Sequence, residues 1–116
     1  MVVHQRMAIP RVREYRKSAS LAQRELAMLV GLATQHAFSE LESGAKRPGL
    51  DVAFACALAL GVPLDNLFPE LATHIEQAML LRARALLGAL QADDRRRQPA
   101  VYVANLVRRL SDHLAS

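Results

Sequence analysis

Arginine supplies 13 of the 15 basic residues in this chain, and its rigid, always-charged fork matches phosphate oxygens and guanine edges. Other chemistry is poorly provided for. The four histidines, His4, His36, His74 and His113, are scattered, and no two share a helix at metal-ligand spacing. With a single cysteine beside them, neither a zinc site nor any other metal is expected. There is no glycine-rich phosphate loop and no nucleophile elbow. Asp93 and Asp94 are neighbours in a charged loop, which does not make a general acid and base pair. The expectation is therefore no enzyme and no cofactor, but a polyanionic partner.

The elements that would carry such a surface are helices. A chain of 116 residues with 52% apolar content suits a single domain built on one core. Mean hydropathy of +0.08 with 22% charged residues excludes a mostly disordered chain. Three Phe, two Tyr and no Trp, against abundant Ala and Leu, favour an all-α fold over a sandwich or barrel. Cys56 lies in an apolar run and reads as a buried structural thiol with no disulfide partner. The first ten residues lack the apolar stretch of a secretion signal. The longest apolar run, Val52 to Leu60, falls far short of the roughly 20 residues that span a bilayer. A cytoplasmic protein without membrane contact is expected.

The net charge of +4, with an isoelectric point near 10.0, is unevenly spread. Residues 1–49 carry +4, residues 50–81 carry −4 without one Lys or Arg, and residues 82–116 carry +4. An apolar, acidic middle thus separates two basic ends.

Five short helices are predicted from Pro10 to about Leu71. The first places Val12 and Tyr15 inward among Arg11, Arg13, Arg16 and Lys17, and ends in Ser18-Ala19-Ser20. The second starts near Ser20, which would form a capping box with Gln23. It buries Leu26, Ala27, Leu29 and Val30, and stops at Gly31. The third is capped by Thr34, buries Ala37, Phe38 and Leu41, and ends at Gly44 before the basic loop Lys46-Arg47-Pro48-Gly49. The fourth, Leu50 to Leu60, is apolar on nearly every face and reads as the core helix. Pro63 restarts a fifth helix through Leu67 and Phe68. A long helix over about 71–90 follows, then a charged break from Asp93 to Pro99, then a last amphipathic helix with Val103, Leu106, Val107, Leu110 and Leu114 on one face.

Two short helices joined by a glycine-containing turn form the helix-turn-helix pattern. The close crossing needs a small residue on the first helix and a glycine in the turn. Ala27 and Gly31 meet both needs, and Leu26, Phe38 and Leu41 would hold the pair together. At these positions the stretch from Arg11 to Leu71 resembles the Cro/C1-type (XRE-like) helix-turn-helix regulators. The match runs through Val12, Tyr15, Arg16, Gln23, Leu26, Ala27 and Gly31. It continues with Ser39, Leu41, Glu42, Gly44, Arg47, Pro48 and Leu50, and closes on Leu60-Gly61-Val62-Pro63-Leu64 and Leu67-Phe68-Pro69. Three departures stand out: Ala22 and Ala33 replace the serines usual before the two motif helices, and one extra residue follows Gly31. Placing the insertion in the turn makes Thr34 the cap of the recognition helix.

The resemblance implies double-stranded DNA as partner and assigns roles. Thr34, Gln35, His36 and Ser39 would face base edges, where a glutamine bonds adenine bidentately and a histidine donates to guanine or phosphate. Gln23, Arg24, Lys46 and Arg47 would hold phosphates. Arg16 and Glu42 would form a structural ion pair, and Ala27, Gly31, Phe38, Leu41 and Gly44 would shape the motif. Glu40 reads as solvated. Residues 1–9 form an arm in which Arg6 lies within reach of a minor groove, although fraying is the simpler expectation.

Domains of this kind bind two half-sites as dimers, because one contacts too few base pairs for specificity. The helical extension, residues 71–116, is the expected dimerisation element, with the homodimer formed through residues 71–114. The reading is a DNA-binding domain over 10–70 in a regulator, a repressor by preference, acting on a palindromic operator. The alternative is an interaction module on the same fold, either an antitoxin whose C-terminal helices cap a toxin or an adaptor without DNA contact.

Overall fold

The computed structural model describes residues 10–116, so the N-terminal arm with His4 and Arg6 lies outside the described residues. Those described form seven α-helices and one 3-10 turn, with no strand among them. The helices are α1 (Val12–Ser18), α2 (Gln23–Val30), α3 (Gln35–Ser43), α4 (Leu50–Leu60), α5 (Leu64–Leu67), α6 (Pro69–Gln91) and α7 (Arg97–Ala115), the 3-10 turn being Asp94–Arg96. The expected all-α arrangement of five helices followed by two is present. The chain divides into two compact units, one ending at Leu71 and one over Ala72–Ser116.

In the first unit, apolar residues three or four apart on each short helix converge on one core. Val12 of α1, Leu26 of α2, Phe38 of α3, Cys56 of α4 and Leu67 of α5 are completely buried. Each such large side chain contributes roughly 1.5–3 kcal/mol on burial, and no single helix of this length is stable without it. The Arg11 N–H donates to the Leu67 carbonyl at 2.8 Å, joining the start of α1 to the end of α5.

Three expectations are corrected here. α2 begins at Gln23, not near Ser20, and the cap is made differently. Glu25 accepts from the Ala22 N–H at 2.7 Å, while Ser20 sits at φ 61 in the turn after α1. A glutamate in the first turn both caps and suits the helix dipole, so the missing serine is replaced from inside the helix. α4 is not buried on all sides. Ala53 and Cys56 face the core, but Leu50, Phe54 and Leu58 are 71%, 58% and 86% exposed. α1, α2 and α5 pack on α4 from the inner side only, and a uniformly apolar helix does not show which side that will be. Leu29 of α2, expected inside, is exposed as well.

The second unit is a helical hairpin with a small core of its own, where composition led us to expect only one. Ala83, Leu90 and Val103 are buried, with Leu87, Ala100, Leu106 and Val107 packed around them. α7 returns antiparallel to α6, as the contacts of Glu76 with His113 and Arg84 with Ser111 show. The charged break is shorter than its composition suggests. Asp93 accepts from the Arg95 N–H at 3.0 Å and starts the 3-10 turn, and this hydrogen bonding to Arg95 holds its carboxyl below the usual range. Pro99 falls inside the first turn of α7, where its missing N–H has no helical acceptor to lose.

Candidate nucleic-acid interface

α2, a four-residue turn and α3 form the corner that the sequence motif required. Gly31 takes the left-handed conformation at φ 81. Its N–H donates to Met28 O at 3.3 Å and that of Leu32 to Ala27 O at 2.9 Å, the double closure of a Schellman end. The extra residue lies in this turn. Thr34 is extended, and its Oγ1 accepts from the Ala37 N–H at 3.0 Å, so α3 starts at Gln35. Gly44 ends α3 in the same left-handed manner. Ala27, Phe38 and Leu41 are buried where α2 and α3 meet.

A polar network fastens this corner to α1. Arg16 Nε donates to Glu42 Oε2 at 2.6 Å and Nη2 to Oε1 at 3.3 Å, a bidentate pair with both residues buried. Arg16 Nη1 also donates to the Leu21 carbonyl at 2.7 Å. Gln23 completes the shell by donating from Nε2 to Glu42 Oε1 at 2.8 Å. With its carboxylate and guanidinium so fully bonded, the buried pair avoids the penalty of an unsatisfied charge.

Gln23 also reaches α3. Its Oε1 accepts from Gln35 Nε2 at 3.1 Å and lies 3.5 Å from the Ser39 hydroxyl. Thr34, Gln35 and His36 are exposed and Ser39 is half-buried, so all four lie around the start of α3. Arg24 is exposed in the first turn of α2, and Lys46 and Arg47 are exposed in the loop after α3. That loop is tied back by the N–H groups of Ala45 and Lys46, which donate to the Glu40 carbonyl at 3.0 and 3.3 Å. A family model described as helix-turn-helix matches residues 12–67, from the first residue of α1 to the last of α5.

Residues 12–67 belong to the Cro/C1-type helix-turn-helix family. No individual curated protein matches the chain. A Cro/C1-type domain is a DNA-binding regulatory domain, and α3 is the second helix of its helix-turn-helix corner. Among the described residues no group of His, Cys, Asp and Glu is placed to hold a metal ion, and no helix is long and apolar enough to cross a membrane.

On this helix-turn-helix domain α3 carries no Lys or Arg and two glutamates, Glu40 and Glu42. His36 Nε2 lies 3.9 Å from Glu40 Oε2, a carboxylate one turn away on the same helix. The role missed by sequence reasoning is that of Gln23 as a hub. Its partners Gln35, Ser39 and Glu42 are 12, 16 and 19 residues away, and no local spacing marks such a contact. Cys56 is buried beneath the motif, and desolvation, with a smaller contribution from Glu42, pushes its thiol up to about 11. It is a packing residue with no reactive thiolate at neutral pH.

Proposed function

We propose that this protein is a sequence-specific transcriptional repressor that binds a palindromic operator as a homodimer. The observation that carries the reading is the presentation of Gln35. It stands at the first position of α3, exposed, with its amide held by Gln23 at 3.1 Å. A pre-oriented amide reads a base edge without first losing its rotamer freedom. Thr34, His36 and Ser39 surround it and complete the base-reading surface, Thr34 through the proton its capping role leaves available.

Phosphates on either side would be held by Gln23 and Arg24 at the start of α2 and by Lys46 and Arg47 in the loop after α3. Ile75, Met79 and Leu86 support dimerisation through residues 71–114. They follow one flank of α6 beside the buried seam and are 49%, 40% and 50% exposed. Two copies joined there would address half-sites about one helical turn apart, and occupancy of the site would block polymerase access. The cytoplasm, where the chromosome and a reduced Cys56 are both accommodated, is the corresponding location.

Selection of bound sequences from random duplex DNA with the purified protein tests this reading. It predicts enrichment of one inverted repeat. Recovery of the starting distribution would refute it.

A further inference from the structure

The helix-turn-helix unit is nearly neutral, with a net +1 over residues 1–71 that comes from Arg6 alone. Residues 10–71 hold seven basic and seven acidic side chains, whereas residues 72–116 hold seven arginines against four acids, a net +3. Attraction to a polyanion is a long-range property of the summed charge, and here it resides in the C-terminal hairpin. Apart from Arg84, which donates to the Ser111 hydroxyl, and Arg95, the arginines of that hairpin make no side-chain hydrogen bond among the described residues. All seven are exposed, and among the described residues only Arg95 forms an ion pair, with Asp93.

Their placement on α7 is ordered by helical periodicity. Val103 and its neighbours Leu106, Val107, Leu110 and Leu114 turn toward α6. Arg97, Tyr102, Asn105, Arg108 and Arg109 fall on the opposite side and are exposed, with Tyr102 66% accessible. From Arg97 to Arg108 the face runs about 17 Å at 1.5 Å per residue. Around the exposed Val101 it combines three guanidinium groups with a phenol and an amide, the donor types that contact phosphate and sugar. Asp112 shares the face one turn beyond Arg108, and Asp93 and Asp94 lie near Arg97 at the other end. This face is separate from the flank of α6 that carries Ile75, Met79 and Leu86.

We infer that the outward face of α7 is a second DNA-contacting surface that grips the phosphate backbone irrespective of sequence. It supplies the electrostatic attraction that the nearly neutral helix-turn-helix unit lacks, and it rests on the DNA-binding reading above. The division of labour is that α3 chooses the site and α7 provides affinity for duplex DNA as such.

The test compares the full-length protein with the triple variant Arg97→Gln/Arg108→Gln/Arg109→Gln. Anisotropy titrations use a random-sequence duplex and the duplex selected by the wild type, between about 50 and 200 mM salt. Loss of three phosphate contacts should lower the slope of log K against log salt by about 2.7. It should also weaken binding to the random duplex at least tenfold, with the preference for the selected duplex retained. Arg97→Lys/Arg108→Lys/Arg109→Lys should keep most of the slope, and amide shifts of wild-type α7 on adding random duplex provide a reading independent of substitution. An unchanged slope, or shifts confined to residues 10–71, overturns the inference while leaving the selected preference of α3 intact. Failure of the wild type to bind either duplex overturns the DNA-binding reading itself.

Discussion

Arg16 and Glu42, 26 residues apart, meet in a buried bidentate pair with Nε and Oε2 at 2.6 Å. α1 is thereby locked to the end of α3. Neither residue is available to DNA, and the acidic count of α3 overstates the charge it presents, since Glu42 is neutralised from behind.

Removing one partner should therefore be far worse than its surface count suggests. Glu42→Ala leaves the Arg16 guanidinium buried without its carboxylate, and such a loss costs about 3–5 kcal/mol. Urea denaturation followed by circular dichroism should show the variant largely unfolded or with a much lowered midpoint. A midpoint within about 1 kcal/mol of wild type would mean the pair is not closed in solution.

Gln23 joins that pair to the reading surface, so its loss should separate specificity from stability. Gln23→Ala removes the donor to Glu42 and frees Gln35, costing about 1–2 kcal/mol in unfolding free energy. The ratio of affinities for selected over random DNA should fall by roughly tenfold, the equivalent of 1.4 kcal/mol. Retained selectivity in this variant would show that Gln35 orients itself without help.

Two left-handed residues should respond to substitution with opposite signs. Gly31 has φ 81 and no atom within 4 Å of where a Cβ would stand, so Gly31→Ala meets backbone strain alone. That strain costs about 1–2 kcal/mol. Ser20 already carries it at φ 61, and Ser20→Gly should raise stability by up to about 1 kcal/mol. Thermal melts of the two variants beside wild type check both signs.

The Cys56 thiol links stability to alkaline pH. Its value in the fold is about 11, raised by burial above the roughly 8.5–9 of an unfolded cysteine. A raised value stabilises the fold fully below the unfolded one, and that contribution is lost as pH rises through the folded one. Between about pH 9 and 11 the unfolded chain releases the proton first. Wild type should then lose about 2 kcal/mol more than Cys56→Ala by about pH 10.5. Parallel pH profiles for the two proteins would contradict this.

Much of the corner was legible because its signals are local. Thr34 and Gly44 bound α3 through bonds to residues three or four away, and Gly31 is recognisable from the turn it closes. The Arg16–Glu42 pair came from resemblance to a family and not from spacing. What remained illegible was set by long-range packing. The stripe Leu50, Phe54 and Leu58 cannot be told from Ala53 and Cys56 by composition, because every face of α4 is apolar. Ser20 offered a plausible cap, but Glu25 was the one the fold used. The second core was hidden in alanines: Ala83 and Ala100 mark the seam between α6 and α7 only once the hairpin is closed. The charge profile misled in its boundaries, since a division at the compact units leaves only +1 on residues 1–71 and +3 on residues 72–116.

Base reading by α3 through Gln35 and His36 is open to direct measurement with the double variant Gln35→Ala/His36→Ala. Its affinity is measured against the duplex selected by wild type and against random duplex, with Lys46→Ala as a phosphate-contact control. The double variant should bind both duplexes equally weakly and with retained salt sensitivity. Lys46→Ala should weaken both together and flatten the salt slope by about 1. Undiminished preference of the double variant for the selected duplex would contradict the placement of the reading surface on α3.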